Sequence, residues 1–274
     1  MVLESIITPL SAKKHPWELF FYGAIISSVA VFLALWIFPE RADLVMVFFT
    51  VFACVPLMFH AIRAEEKKDL LIEDELPLLK EHSRVIAFFL FLFVGITISL
   101  TLWYIFLPEP MSANLFHQQL STIARINGAA TGSSVGLNHF SAILSNNIKV
   151  LTFCIIFAFF YGAGAIFILT WNASVLAVAI GSFAKQAIQS NATSTLPAIS
   201  MGITRYFIHG LPEMVAYMIA GLAGGIISVA VINHHFRTQE FDKIMRDASY
   251  LILISLGVLV VAGVVEAWIT PALF

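Results

Sequence analysis

The chain has 274 residues, 59% of them hydrophobic, 13% aromatic and only 12% charged, with a formal net charge of −2. Ordinary soluble domains carry about 25% charged residues, so half the usual supply is present to cover a water-facing exterior, and a water-soluble enzyme is excluded. The weak net charge gives no basic field for nucleic acid, and the composition is that of an all-α, polytopic transmembrane helical bundle.

A helix needs roughly 20 apolar residues to cross about 30 Å of hydrocarbon. Taken in chain order, the apolar runs are 17–38, 44–62, 85–106, 148–170, a shorter one at 173–188, then 211–232 and 250–269. They predict six or seven membrane segments, depending on whether 173–188 crosses or returns as a hairpin. Pro39, Pro108 and Pro271 stand where three runs end, as residues that cannot continue a helix should. Trp17, Trp36, Trp103, Trp171 and Trp268 fall near predicted ends, where aromatic belts form. Cys54 and Cys154 lie inside apolar runs and read as small hydrophobes.

Lys and Arg set the orientation. With a cytoplasmic N-terminus and seven crossings, ten of the fifteen basic residues fall inside and five outside; a hairpin at 173–188 makes this nine and six. The chain therefore divides into three N-terminal helices (1–106) with a charged cytoplasmic loop at 63–84, an outer amphipathic segment (107–147) and a membrane core (148–274). The loop, with Glu65, Glu66, Lys67 and Lys68 near its start, is expected to be solvated. In the outer segment Ser112 is placed to cap a helix with Leu115, Phe116, Leu120, Ile123 and Ile126 on one stripe, lying on the outer surface or over the bundle. The glycine-rich run 127–136 then breaks it, and 137–144 is expected to be a second short surface helix.

Polar groups in hydrocarbon cost roughly 2.5–3.5 kcal/mol when a charge is centred, so they mark sites. Asn146, Asn147 and Lys149 open the fourth span, Asn172 follows it, Arg205, His209 and Glu213 precede or open the sixth, and Glu266 lies near the end of the seventh. Seven spans bring all but Asn172 to the outer level, as one polar cluster. Gly210 and Pro212 predict a broken helix at 209–212, with a spanning helix starting at Leu211. Gly162 and Gly164 in span four, and Gly221, Gly224 and Gly225 in span six, predict close helix–helix contact within the chain, with a homodimer through the Gly221–Gly225 spacing as the alternative. Asn191-Ala-Thr193 is a glycosylation acceptor on the predicted outer side.

Together, Asn146-Asn147 opening a span, Asn172 in the turn after it, His209-Gly210 with Glu213, the run from Ile219 to Gly225, and Gly263-Val-Val-Glu266 followed by Thr270-Pro271 resemble the stage II sporulation protein M family of integral membrane proteins, over residues 140–274. Ile208 stands before the His-Gly pair where that family usually has proline. The resemblance implies a membrane partner: in spore-forming bacteria the namesake works with peptidoglycan-degrading proteins during engulfment, and similar proteins occur in organisms that never sporulate.

Three functions follow as expectations. The first is a non-enzymatic scaffold or assembly partner of the cell membrane, without cofactor, contacting the lipid bilayer and proteins of the membrane or envelope. The second is an ion- or proton-coupled transporter or channel using His209, Glu213 and Glu266. The third is an intramembrane metal-dependent enzyme; the same three residues are the only candidate ligands, no HExxH occurs, and zinc wants three or four ligands.

Overall fold

The structure is a computed structural model, which describes residues 15–71, 75–130, 137–161, 164–190, 193–233 and 238–273. Its elements are α1 (Glu18–Ile37), a 3₁₀ turn (Pro39–Arg41), α2 (Ala42–Leu71), α3 (Glu75–Phe106), α4 (Glu109–Leu115), α5 (His117–Ala130), α6 (Leu137–Tyr161), α7 (Ala165–Gln189), α8 (Thr195–Ile232), α9 (Gln239–Val264), a π turn (Val265–Ile269) and α10 (Thr270–Leu273). Among the described residues there is no strand, and seven helices are long and apolar enough to cross a membrane. The molecule is apolar on its outside as well as its inside: Trp36, Phe52 and Phe160 are 80%, 68% and 71% exposed. Exposed apolar surface on this scale is what a lipid-facing bundle shows and a soluble one avoids.

Short turns between long helices make successive spans antiparallel. One pole carries the α2–α3, α6–α7 and α8–α9 connections, and is called the N-terminal pole. The other carries α4, α5 and the last helical turn, and is called the C-terminal pole. α1 and α3 run parallel and touch backbone to backbone. A Cβ on Gly95 would lie 2.1 Å from the Phe20 carbonyl oxygen, and one on Gly23 would lie 2.6 Å from the Leu92 oxygen. Around this contact Trp103 Nε1 donates to Ser28 Oγ at 3.0 Å, Ser28 and Ser99 pair at 3.0 Å, and Phe32 meets Trp103 edge-on. α8 is the centre of the core half: Gly224 abuts the backbone of α6 at Ile155, Gly221 abuts Ala165 of α7, and Gly202 abuts Ile180.

Several expectations need correction. The fourth and fifth long helices end at Tyr161 and begin at Ala165, so they do not part near Asn172. Trp171 and Asn172 are inside α7, and Asn172 Nδ2 donates to the Ile168 carbonyl within its own helix at 2.7 Å. Residues 137–144 are the first turns of α6 rather than a surface helix. Ser112 sits within α4, not at a cap, and its hydroxyl donates to the Tyr104 carbonyl. The α4–α5 segment does not lie loosely over the bundle. Leu115 and Phe116 are fully buried, and buried Gln119 donates to Ser174 of α7 at 3.2 Å. Pro271 does not end the seventh span: the helix widens into a π turn and continues to Leu273.

The loop at 63–84 is likewise two helical extensions, the end of α2 and the start of α3. Glu65, Glu66 and His82 are buried rather than solvated. Glu65 Oε2 lies 3.1 Å from His82 Nδ1, Lys68 Nζ lies 3.1 Å from Glu65 Oε1 and also pairs with Glu81, which Arg84 joins. Asn233 donates to Glu66 at 2.9 Å, tying the end of α8 to this hairpin. Glu73 and Asp74 of that loop, Gly162, Asn191 and His234-His235 lie outside the described residues.

Seven crossings would put His15 and Leu273 on opposite sides of the membrane. His15→Cys and Leu273→Cys, labelled in sealed vesicles with an impermeant thiol reagent, are expected to react from opposite faces. Gly95→Ala is expected to destabilise the detergent-solubilised protein by about 1–3 kcal/mol through overpacking against backbone. Gly257→Ala, which meets nothing within 4 Å, should stay within about 0.5 kcal/mol of the parent. Thermal unfolding of the two variants checks both.

Candidate functional site

Three helical segments deliver polar side chains to one level. α6 supplies Asn147, which is 6% exposed. α8 supplies His209 and Glu213, four residues apart and so on one face. The C-terminal π turn supplies Glu266, and Thr270 follows it.

The π turn has a local cause. Pro271 has no amide hydrogen and its ring crowds the carbonyl four residues back. Widening the turn relieves this, with the Thr270 amide donating to Val265, five residues back. The widened turn also sets direction. Gly263 and Trp268, five apart, both meet Phe140 of α6, while Thr270 is turned to α8. In an uninterrupted α-helix, positions 263 and 270 would share a face, because seven residues make almost two full turns.

The contacts join the three segments. Asn147 Nδ2 donates to Glu213 Oε1, and Asn147 Oδ1 accepts from Asn146 at 3.3 Å. The carboxyls of Glu213 and Glu266 are within hydrogen-bond reach of one another. His209 Nδ1 lies 3.2 Å from Thr270 Oγ1, and that hydroxyl lies 3.2 Å from the Val265 carbonyl. A hydroxyl has one hydrogen. Donating it to Val265 leaves Thr270 to accept from His209, which assigns the hydrogen of that imidazole to Nδ1.

The remaining residues singled out in the sequence are placed differently. Lys149 is exposed and faces away from the cluster, two residues and so about 200° around α6 from Asn147. It lines a surface hollow with Phe140, Ser141 and Leu144. Asn146 is exposed and reaches the site only through Asn147. Arg205 is directed toward α7, with its guanidinium carbon 5.4 Å from the centre of the Phe183 ring.

The broken helix expected at 209–212 is absent. α8 runs without interruption from Thr195 to Ile232 with Pro212 inside it and Gly210 buried against Leu176 of α7. At 38 residues it is about 57 Å long, and its first turns continue beyond Thr270 alongside the end of α7. His209 meets Thr270 of the last helical turn, and Gly210 meets Leu176, two residues from the Ser174 that bonds Gln119 of α5, so the His209 end of the cluster lies toward the C-terminal pole. Of the packing glycines, Gly221 and Gly224 are occupied by α7 and α6, Gly225 is buried, and Gly164 stands at the start of α7. Among the described residues no three of His, Cys, Asp and Glu are arranged to hold a metal ion, and His209 turns Nδ1 to a hydroxyl rather than to the carboxyls.

Sequence reasoning passed over Tyr217, which is 2% exposed and within electrostatic reach of both carboxyls. Its position four residues after Glu213 was the available signal, since 209, 213 and 217 form one stripe.

A family model described as Stage II sporulation protein M matches residues 85–271. The match starts in α3, earlier than the resemblance over 140–274. No curated protein and no solved structure matches the chain.

A double-mutant cycle on Asn147→Ala and Glu213→Ala is expected to give a coupling between about 0.6 kcal/mol, the average for hydrogen bonds between membrane helices, and about 1.7 kcal/mol, the largest found. Strict additivity in chemical unfolding would show that this bond does not join α6 to α8.

Proposed function

The chain belongs to the stage II sporulation protein M family, and from that premise we propose that it is a non-enzymatic scaffold or assembly partner of the cell membrane. The observation that carries this reading is how the clustered polar groups are used. Asn147, Glu213 and Glu266 engage one another, and His209 engages Thr270, so they join α6, α8 and the C-terminal segment. In hydrocarbon such groups fix which helices pack and in what register.

The surface offered to a protein of the envelope is the α4–α5 edge at the C-terminal pole. Its inner side is anchored by Leu115, Phe116 and Gln119, and its outer side presents His117, Ser121 and Arg125. The positive-inside balance supports a position of this pole outside the cytoplasm. No cofactor enters this reading.

The nearness of the carboxyls of Glu213 and Glu266 favours a second reading, proton- or cation-coupled transport, because two carboxyls side by side can take a proton or a cation between them. One experiment separates the two. A scaffold predicts proteoliposome proton flux no higher than in empty vesicles. It also predicts that Glu213→Gln keeps its melting temperature, whereas Glu213→Leu, which leaves Asn147 without its acceptor, loses about 1–3 kcal/mol. Flux above background that Glu213→Gln abolishes, in a protein that still melts normally, would replace the scaffold with the transporter.

A further inference from the structure

At the N-terminal pole a cleft of about 250 Å³ opens between α3 and α9. Its floor is Leu78, Leu251 and two polar residues, His82 and Asp247, which are 2% and 8% exposed. His82 is oriented by the bond from its Nδ1 to Glu65. The rim on the α9 side is different in kind: Leu253 is 62% exposed and Ile254 is 39% exposed.

The cleft straddles the edge of the hydrocarbon. On α3 the charged residues stop at Arg84, and on α9 they stop at Asp247, with Tyr250 at the boundary and an apolar run beyond it. An aromatic at that depth is the usual mark of the headgroup level. The Leu253–Ile254 side therefore faces acyl chains while the Asp247 side faces headgroups. Arg246 Nε lies 3.8 Å from Asp247 Oδ1, with the Arg246 side chain mostly exposed. An acid set in the cleft with a base beside it at the water's edge is complementary to an ammonium joined to a phosphodiester.

We propose that this cleft binds a phospholipid with a primary-amine headgroup, whose ammonium meets Asp247, whose phosphate meets Arg246 and one of whose acyl chains lies along Leu253 and Ile254. A primary ammonium has three hydrogens to donate to a carboxylate. A trimethylated headgroup has none, so the amine is the feature selected. This inference stands apart from the scaffold reading, because the cleft and the His209–Glu213–Glu266 site share no residue and lie at different levels of the bundle.

The test uses the full-length protein in detergent, titrated with phosphatidylethanolamine, phosphatidylcholine or phosphatidylglycerol of matched chains. Thermal unfolding and native mass spectrometry are the readouts. The expected result is a saturable rise in melting temperature and one retained lipid per chain for phosphatidylethanolamine, both weaker for the other two lipids. Asp247→Asn is expected to weaken phosphatidylethanolamine binding by about tenfold, as loss of a charge-assisted hydrogen bond should. Ile254→Trp fills the mouth of the cleft from an exposed position that spares folding, and is expected to abolish lipid retention. Equal shifts for the three lipids, a preference for phosphatidylglycerol, or unchanged retention in Ile254→Trp would each overturn the proposal. So would a dimer that Ile254→Trp dissociates, which would make the occupant a second copy.

Discussion

The hydrocarbon interior offers no water, so every polar group carried into it must find its partner in the chain itself. This constraint organises the molecule more than apolar packing does, because lipid tails compete with apolar side chains on equal terms. Some buried polar residues turn back on their own helix, as Ser27, Thr50 and Thr97 do, while others link helices: Ser28 to Ser99 and Trp103, Gln119 to Ser174, Asn147 to Glu213, His209 to Thr270. Each link ties two elements far apart in sequence and leaves one register in which both are satisfied.

Glycine provides the complementary device. Where backbones must touch, as at Gly95 on Phe20 and Gly224 on Ile155, the absence of a Cβ lets the helices close. Dispersion between close backbones then adds to the polar links. The spacing of Gly221 and Gly225, a familiar dimer signal, is used up inside the chain, since Gly221 faces Ala165 and Gly225 is buried. Gly23 and Gly95 make the closest contact described, and each opens a small-residue spacing, Gly23 with Ser27 and Gly95 with Ser99, that the sequence reading passed over.

Membrane helices and their approximate number were legible because a run of twenty apolar residues has few other uses. Helix ends were less so. Between residues 148 and 188 the chain is apolar almost throughout, and Trp171-Asn172 looked like the break in it. One helix ends at Tyr161 and the next begins at Ala165, where the small residues of the sequence supply no hydropathy signal, while Asn172 satisfies itself on the Ile168 carbonyl. Pro212 misled for a similar reason: α8 is held on both sides by α6 and α7, and tertiary packing carries it through a proline that would break an isolated helix. At 63–84, charge density suggested solvent, but Glu65 and His82 are eleven or fewer residues from the α2–α3 turn and bury one another when that hairpin closes. The convergence of His209, Glu213 and Glu266 was visible in the alternation of spans. The exclusion of Lys149 depended on the angle around α6, which a span boundary displaced by several residues had hidden.

The widened turn at 265–269 makes the tail of this chain sensitive to length more than to chemistry. A π turn is an α-helix that has accepted one extra residue, and the surplus is what lets Trp268 stay on Phe140 while Thr270 reaches His209. Replacing a side chain there alters one contact. Losing a single codon would wind the segment back to ordinary pitch and swing everything after it by about 100°. The last turn of the protein therefore behaves like a key whose teeth can be recut singly but whose shank cannot be shortened.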